Sequence, residues 1–187
     1  MEYLIKTNPT LSVCGLNCGL CPNYHINTTG KFKCPGCAGE GFSGAHPTCA
    51  ILSCCQSKGV EYCWLCSDYP CYRYENADAS DSFITHKNQL KDIDKARQIG
   101  IDAYVGEQSE KISILQNLLA NYNDGRKKSF FCVVVNLLEL QDVKRVIRQI
   151  ENEVDPSDPI KEKARTATRL FQALADERFI TLKLRKK

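Results

Sequence analysis

Eleven cysteines crowd between Cys14 and Cys71, and the rest of this 187-residue chain holds one more, Cys132. Thiols concentrated in this way fold around something that sulfur binds, either a second sulfur or a metal. The opening Met1-Glu2-Tyr3-Leu4-Ile5-Lys6 starts no long apolar run and carries no cleavage site, so no secretory leader is expected. A chain kept in the reducing cytoplasm does not retain disulfides. The reading is therefore a cytoplasmic metal-binding protein. No stretch approaches the ~18 apolar residues of a membrane span, and a net charge of +3 is too mild to indicate nucleic acid or lipid by itself.

The spacings support metal. The order is Cys14-x3-Cys18-x2-Cys21, Cys34-x2-Cys37, Cys49-x4-Cys54, then Cys63-x2-Cys66-x4-Cys71. Two thiolates separated by two residues bend onto one tetrahedral ion at ~2.3 Å. Cys34-Pro35-Gly36-Cys37 suits that bend: proline fixes one φ, and glycine permits the positive φ that aims backbone N–H groups at sulfur. The expected ligands of two or more zinc ions are Cys14, Cys18, Cys21, Cys34, Cys37, Cys49, Cys54, Cys63, Cys66 and Cys71. Spacing does not fix which of them share an ion. One arrangement joins Cys34 and Cys37 with Cys63 and Cys66, joins Cys14, Cys18 and Cys21 with Cys71, and leaves Cys49 and Cys54 as a further pair. Cys55, directly after Cys54, and Cys132, inside an apolar run, read as buried fillers. His25 and His46 read as exposed loop residues, since thiolates already suffice. His86 sits at an expected helix start and has no special claim.

The chain divides near residue 80. Residues 1–79 are expected to form a cysteine-rich metal-binding region, and residues 80–187 a mainly helical one, the two packing as one unit or as neighbours. The small, polar run Asn76-Ala77-Asp78-Ala79-Ser80-Asp81-Ser82 reads as the connector. Leu90, Ile93 and Ala96 share one helical face, closed by Gly100 as C-cap. Ile112, Leu115, Leu119 and Tyr122 mark a second helix, stopped by Asn123-Asp124-Gly125. The apolar run 130–138 reads as a buried strand by its aromatic and β-branched content, with a buried helix start as the alternative. Leu140, Val143, Ile147 and Ile150 make an amphipathic helix. Asp158-Pro159 reads as N-cap and first helical residue of another, with Ile160, Ala164, Ala167, Phe171 and Leu174 on one face. Ile180, Leu182 and Leu184 alternate with Thr181, Lys183 and Arg185, which predicts a short terminal strand. The expected fold class is thus α+β: irregular zinc-knuckle-like loops packed with a mainly helical half that ends in a strand.

Cys14-x3-Cys18-x2-Cys21 is also the spacing with which radical S-adenosylmethionine enzymes hold a 4Fe–4S cluster. Those enzymes need a long strand–helix alternation that is missing here. A simpler iron–sulfur redox protein, carrying a 4Fe–4S cluster, is the main alternative to zinc. No Ser-His-Asp set, phosphate loop or paired-carboxylate pattern is evident, so the lean is away from an enzyme.

These motifs carry a resemblance. Cys14-Gly15-Leu16-Asn17-Cys18-Gly19-Leu20-Cys21-Pro22, Cys34-Pro35-Gly36-Cys37, Cys49-Ala50-Ile51 with Cys54, Lys58-Gly59-Val60, Cys63-x2-Cys66 and Tyr69-Pro70-Cys71 together resemble an uncharacterised family. Its members are small cysteine-rich proteins of bacteria and archaea, classed as a domain of unknown function and presumed to bind zinc. The tail 180–187 resembles the ending of its longer members. Cys55 and Cys132 fall outside the family's usual cysteines. The resemblance implies metal binding in the cytoplasm and implies no reaction.

The expected function is a zinc-binding module whose metal is structural and whose surface contacts an unknown protein partner. A nucleic-acid-binding zinc protein is a further alternative, raised by Tyr62, Trp64, Tyr69, Tyr72, Tyr74 and the basic tail. Against it, Lys and Arg are sparse among the cysteines. No membrane association is expected.

Overall fold

The computed structural model describes residues 6–24, 33–37, 39–42, 48–77 and 79–185. His25 and His46 lie outside the described residues. Among those described, the regular elements are helical. They are α1 (Ala50–Lys58), α2 (Gln89–Ile99), α3 (Ile101–Asn121), α4 (Lys128–Leu137), α5 (Leu140–Glu153) and α6 (Ile160–Glu177), with one-turn 3-10 segments at Cys18–Leu20, Cys63–Leu65 and Tyr72–Tyr74.

No strand is present among the described residues, so the α+β expectation is corrected to an all-helical fold with irregular cysteine loops. The run 130–138 belongs mostly to α4. Phe131, Val134, Val135 and Leu138 are fully or almost fully buried, and Cys132, Val133 and Leu137 nearly so. A helix covered on almost every side needs no polar face, so its 3.6-residue period disappears from the sequence. Ile180 and Leu182 do pack against the helical core, but in an irregular segment. A strand needs a ladder partner. The tail instead meets the connector at Asp81, whose N–H donates to the Arg185 carbonyl at 3.0 Å.

The helices with one wet face follow the sequence closely. In α5, Leu140, Val143 and Ile150 are buried as expected, and Val146 is buried where Ile147 was expected; Ile147 is only partly covered. In α6, Ala164, Ala167, Phe171 and Leu174 are buried, while Ile160 is largely exposed. Its N-cap is Pro159, one residue later than expected; the Asp158 carboxylate instead accepts the Asp155 N–H. Gly100 takes φ +87, closing α2 and opening α3 without an intervening loop. The C-terminus of α4 is capped from outside. Asn88 donates to the Asn136 and Leu137 carbonyls, and the buried Lys111 ammonium donates to the Leu138 carbonyl at 2.8 Å. Both satisfy carbonyls that the helix leaves unpaired.

Two apolar clusters result. One gathers α3 to α6 around Phe131 and Phe171, whose rings meet edge to face at 6.4 Å. It includes Leu20, which the 3-10 turn after Cys18 plugs into the helices. The other joins Leu11, Val13, Tyr62, Trp64 and Tyr74 to Ile93 and Ala96 of α2 and Tyr104 of α3. Gly15 sits at that seam with φ +88, where a Cβ would lie 2.4 Å from Ile93 Cγ1, so only glycine lets the loop approach α2.

Candidate metal centre

The cysteines separate into two groups around two cavities. Cys14, Cys18, Cys21, Cys34, Cys37 and Cys49 line a cavity of about 370 Å³. Cys54, Cys55, Cys63, Cys66 and Cys71 line a second of about 310 Å³. The structure therefore places Cys34 and Cys37 with Cys14, Cys18 and Cys21 rather than with Cys63 and Cys66. Cys71 goes to the other group, and Cys49 and Cys54 are divided between the two.

Helix α1 makes that last division. Cys49 is its N-cap, its Sγ accepting the Leu52 N–H at 3.4 Å, and it lines the first cavity. Cys54 lies more than a turn further on and joins the second. The first group is closed by loop geometry. Cys18 and Cys21 flank a 3-10 turn, with the Cys21 N–H donating to the Cys18 carbonyl at 2.9 Å. Gly36 takes φ +81, as the Cys-Pro-Gly-Cys motif predicts, and a Cβ there would strike the Pro9 carbonyl oxygen at 2.8 Å. Cys37 Sγ accepts the Val13 N–H at 3.2 Å, and Cys14 Sγ lies 3.1 Å from the Ser12 hydroxyl.

The thiols in the first group oppose each other's ionisation. Burial pushes Cys14 up to about 11; hydrogen bonds from Ser12 and Leu16 pull it back, and the neighbouring Cys37 and Cys49 raise it further. Burial lifts Cys18 well above the usual thiol value, with Cys37 and Cys14 adding to it. Cys21 and Cys37 are raised by burial too, Cys21 with Cys34 beside it and Cys37 with Cys49. Cys14 thus lies near Cys37 and Cys49, and Cys18 near Cys37, Cys14 and Cys21. Burial pushes Cys132 up to about 12, with Cys21 raising it further, and Cys21 in turn has Cys34 beside it. Without a cation such a cluster is neutral thiol; a bound cation inverts that preference.

Cys55 and Cys132 are buried, as fillers should be. Tyr62, Trp64 and Tyr74 are buried as well, the first two stacked at 4.5 Å, so these rings pack the cysteine region. Three polar residues of the first cavity had no signal in the cysteine pattern: Arg73, His86 and Gln89. Gln89 is buried and donates from Nε2 to the Cys14 carbonyl at 2.8 Å. His86 bonds the Ser82 hydroxyl through Nε2 at 3.0 Å. The expected helix start was the only sequence feature at His86. Nothing in the sequence marks Gln89, which reaches the site from the first turn of α2.

Beneath the first cavity lies a polar bridge. Asn17, inside the Cys14-x3-Cys18 loop, donates to Asp92 of α2 at 2.9 Å and accepts from the Tyr104 hydroxyl of α3 at 3.0 Å. Burial pushes Asp92 up to about 6, against the opposing pull of Lys111. Burial lowers Lys111 in turn.

No three His, Cys, Asp or Glu side chains among the described residues already stand in ion-holding geometry. The donor chemistry fits a thiophilic metal: the described lining of the first cavity has six thiols and no carboxylate.

The comparisons agree with the cysteine pattern. Residues 10–76 match the family described as Protein of unknown function (DUF3795). This is an uncharacterised family, and the match spans both cysteine groups. No curated protein and no solved structure matches the chain. No helix among the described residues is long and apolar enough to cross a membrane.

Proposed function

We propose that the region matched by the family is a metal-binding module, with zinc held in the first cavity by Cys14, Cys18, Cys37 and Cys49. The observation that carries the reading is the gathering of six thiols, from positions as far apart as 14 and 49, around one cavity. Thiolates gathered this closely would repel one another, so a bound cation is what lets these buried groups ionise together. The metal in this reading is structural. A closed tetrathiolate site leaves no coordination position for chemistry, and the module serves to present a surface to a protein partner in a reducing, cytoplasmic setting. Metal analysis of protein purified without added metal tests it. Zinc bound to the wild type and reduced in Cys18→Ser/Cys37→Ser supports the reading; zinc content unaffected by that double substitution removes it.

A second reading has its own support. Six sulfurs exceed the four that one tetrahedral ion takes, and about 370 Å³ is ample for more than an ion. Both favour an iron–sulfur cluster in the first cavity. Protein purified without oxygen is then brown and contains iron and acid-labile sulfide; colourless, zinc-loaded protein decides for the first reading.

A further inference from the structure

We infer that the second cavity is a separate zinc site, formed by Cys54, Cys63, Cys66 and Cys71, and that filling it strengthens metal binding in the first cavity. The inference rests on the metal reading of this region, but on a different set of thiols.

In the second cavity Cys66 already meets hydrogen-bond donors. Cys63 and Cys66 flank a 3-10 turn in which the Cys66 N–H donates to the Cys63 carbonyl at 3.1 Å. Cys66 Sγ accepts from the Asp68 N–H at 3.4 Å and from the Lys58 ammonium at 3.2 Å. Cys54 and Cys71 are close enough to Cys63 for their charges to act on it. A zinc ion with four thiolates carries a net charge of about −2. Arg73, which lines the same cavity, supplies opposite charge, and Lys58 adds to it although it also pairs with the Asp68 carboxylate of that lining. Cys55 also lines the cavity and lies against Cys63, but successive residues on α1 point about 100° apart, so it and Cys54 do not both reach one ion; Cys54 is taken as the ligand.

The two sites share a backbone. The Cys63 N–H donates to the Val13 carbonyl at 2.8 Å, and the Val13 N–H donates to Cys37 Sγ at 3.2 Å. Val13 is fully buried, so its position is set by these neighbours. Tyr74 makes a second link, three residues after Cys71. Its hydroxyl donates to the Cys14 carbonyl at 3.2 Å and lies against the Cys63 thiol. Helix α1 makes a third, with Cys49 at one end and Cys54 in its body. An ion that fixes Cys63 and Cys54 therefore also fixes Val13 and Cys49, and less ordering remains for the first ion to impose.

Native mass spectrometry of the full chain after zinc loading, with a competitive chelator titration, tests this. The wild type should hold two zinc ions, released in one cooperative step. Cys66→Ser/Cys71→Ser should hold one ion, bound at least tenfold more weakly than the wild type's. Tyr74→Phe should keep both ions and lose part of the cooperativity without losing a ligand. Helical circular dichroism shows whether each variant is folded. The inference is overturned if the wild type binds a single ion, or if Cys66→Ser/Cys71→Ser keeps the full count. It is also overturned if that variant's remaining ion keeps wild-type affinity. The two readings fail separately. A wild-type ion lost only in Cys18→Ser/Cys37→Ser leaves the first cavity's reading standing and removes this one; an ion lost only in Cys66→Ser/Cys71→Ser does the reverse.

Discussion

Between Gln89 and Glu177 the backbone amides are paired within five helices, and the side chains between them form a continuous apolar core that contains Leu115, Phe131, Ile150 and Phe171. Between Lys6 and Ala77, α1 is the one full helix among the described residues, and much of the rest is turns and single 3-10 turns. The apolar cluster there is smaller, and thiols make up part of it. The helical region meets the entropy of folding with buried area and self-contained hydrogen bonds. The cysteine region has too little of either, and the proposed metal cross-links supply what is missing.

The largest expected effect follows from that difference. Stripping metal with a strong chelator should remove roughly 10 kcal/mol or more of local stabilisation from the cysteine region. Trp64, the only tryptophan, is stacked on Tyr62 and reports on this region alone. Its near-UV circular dichroism should collapse, while most of the helical far-UV signal stays. An unchanged Trp64 signal after complete metal removal would mean the contrast between the regions is mistaken.

The converse perturbation is Phe171→Ala. Phe171 is fully buried against Phe131, and its truncation should cost about 3–5 kcal/mol. Thermal unfolding followed at helical wavelengths should shift to markedly lower temperature, with the zinc content of the folded protein intact. A loss of zinc in step with the helices would show that the two regions have one stability rather than two.

These expectations also locate what the sequence could and could not convey. Helices α5 and α6 were legible because each has a wet face, so their apolar residues recur at helical spacing. Helix α4 was not, because burial on nearly every side erases the period. The tail alternates like a strand, yet alternation says nothing about whether a partner strand exists. That the cysteines gather was legible from their spacing. Their grouping was not, because it depends on contacts such as that of Cys63 with Val13, fifty residues away in the chain. Arg73 and Gln89 entered the first cavity by the same tertiary route.

Where the two regions meet, Asp92 sharpens the comparison. Its carboxyl is raised to about 6 by burial, above the ordinary 3.8. The folded state therefore binds more protons than the unfolded state between about pH 4 and 6, and stability falls as pH rises through that window. The full effect is roughly 3 kcal/mol. Asp92→Asn, which keeps the shape of the protonated acid, should flatten this fall. Denaturant midpoints from pH 4 to 7 measure it, and an Asp92→Asn slope equal to the wild type's would mean that the bridge through Asn17 does not bury the carboxyl.

Asp81 gives the smallest effect, with the opposite sign. Its side chain is 0% exposed and faces Arg185 at 2.8 Å. Burial pushes the carboxyl up, but the Arg185 guanidinium and the Arg185 and His86 N–H groups together bring it down to about 2. Here the unfolded state binds more protons between about pH 2 and 4. The latch is complete above pH 4 and is lost as pH falls toward 2. Partial exposure of Arg185 screens the pair, so the contribution is about 1–2 kcal/mol. Asp81→Asn should remove this acid-side loss while leaving the Asp92 window untouched, because the two carboxyls titrate in different ranges. Unfolding midpoints measured separately at pH 2.5 and pH 5 distinguish them. If Asp81→Asn instead shifted the pH 5 midpoint as strongly as Asp92→Asn, the tail latch and the buried bridge would be one coupled system, and the boundary between the regions would lie elsewhere.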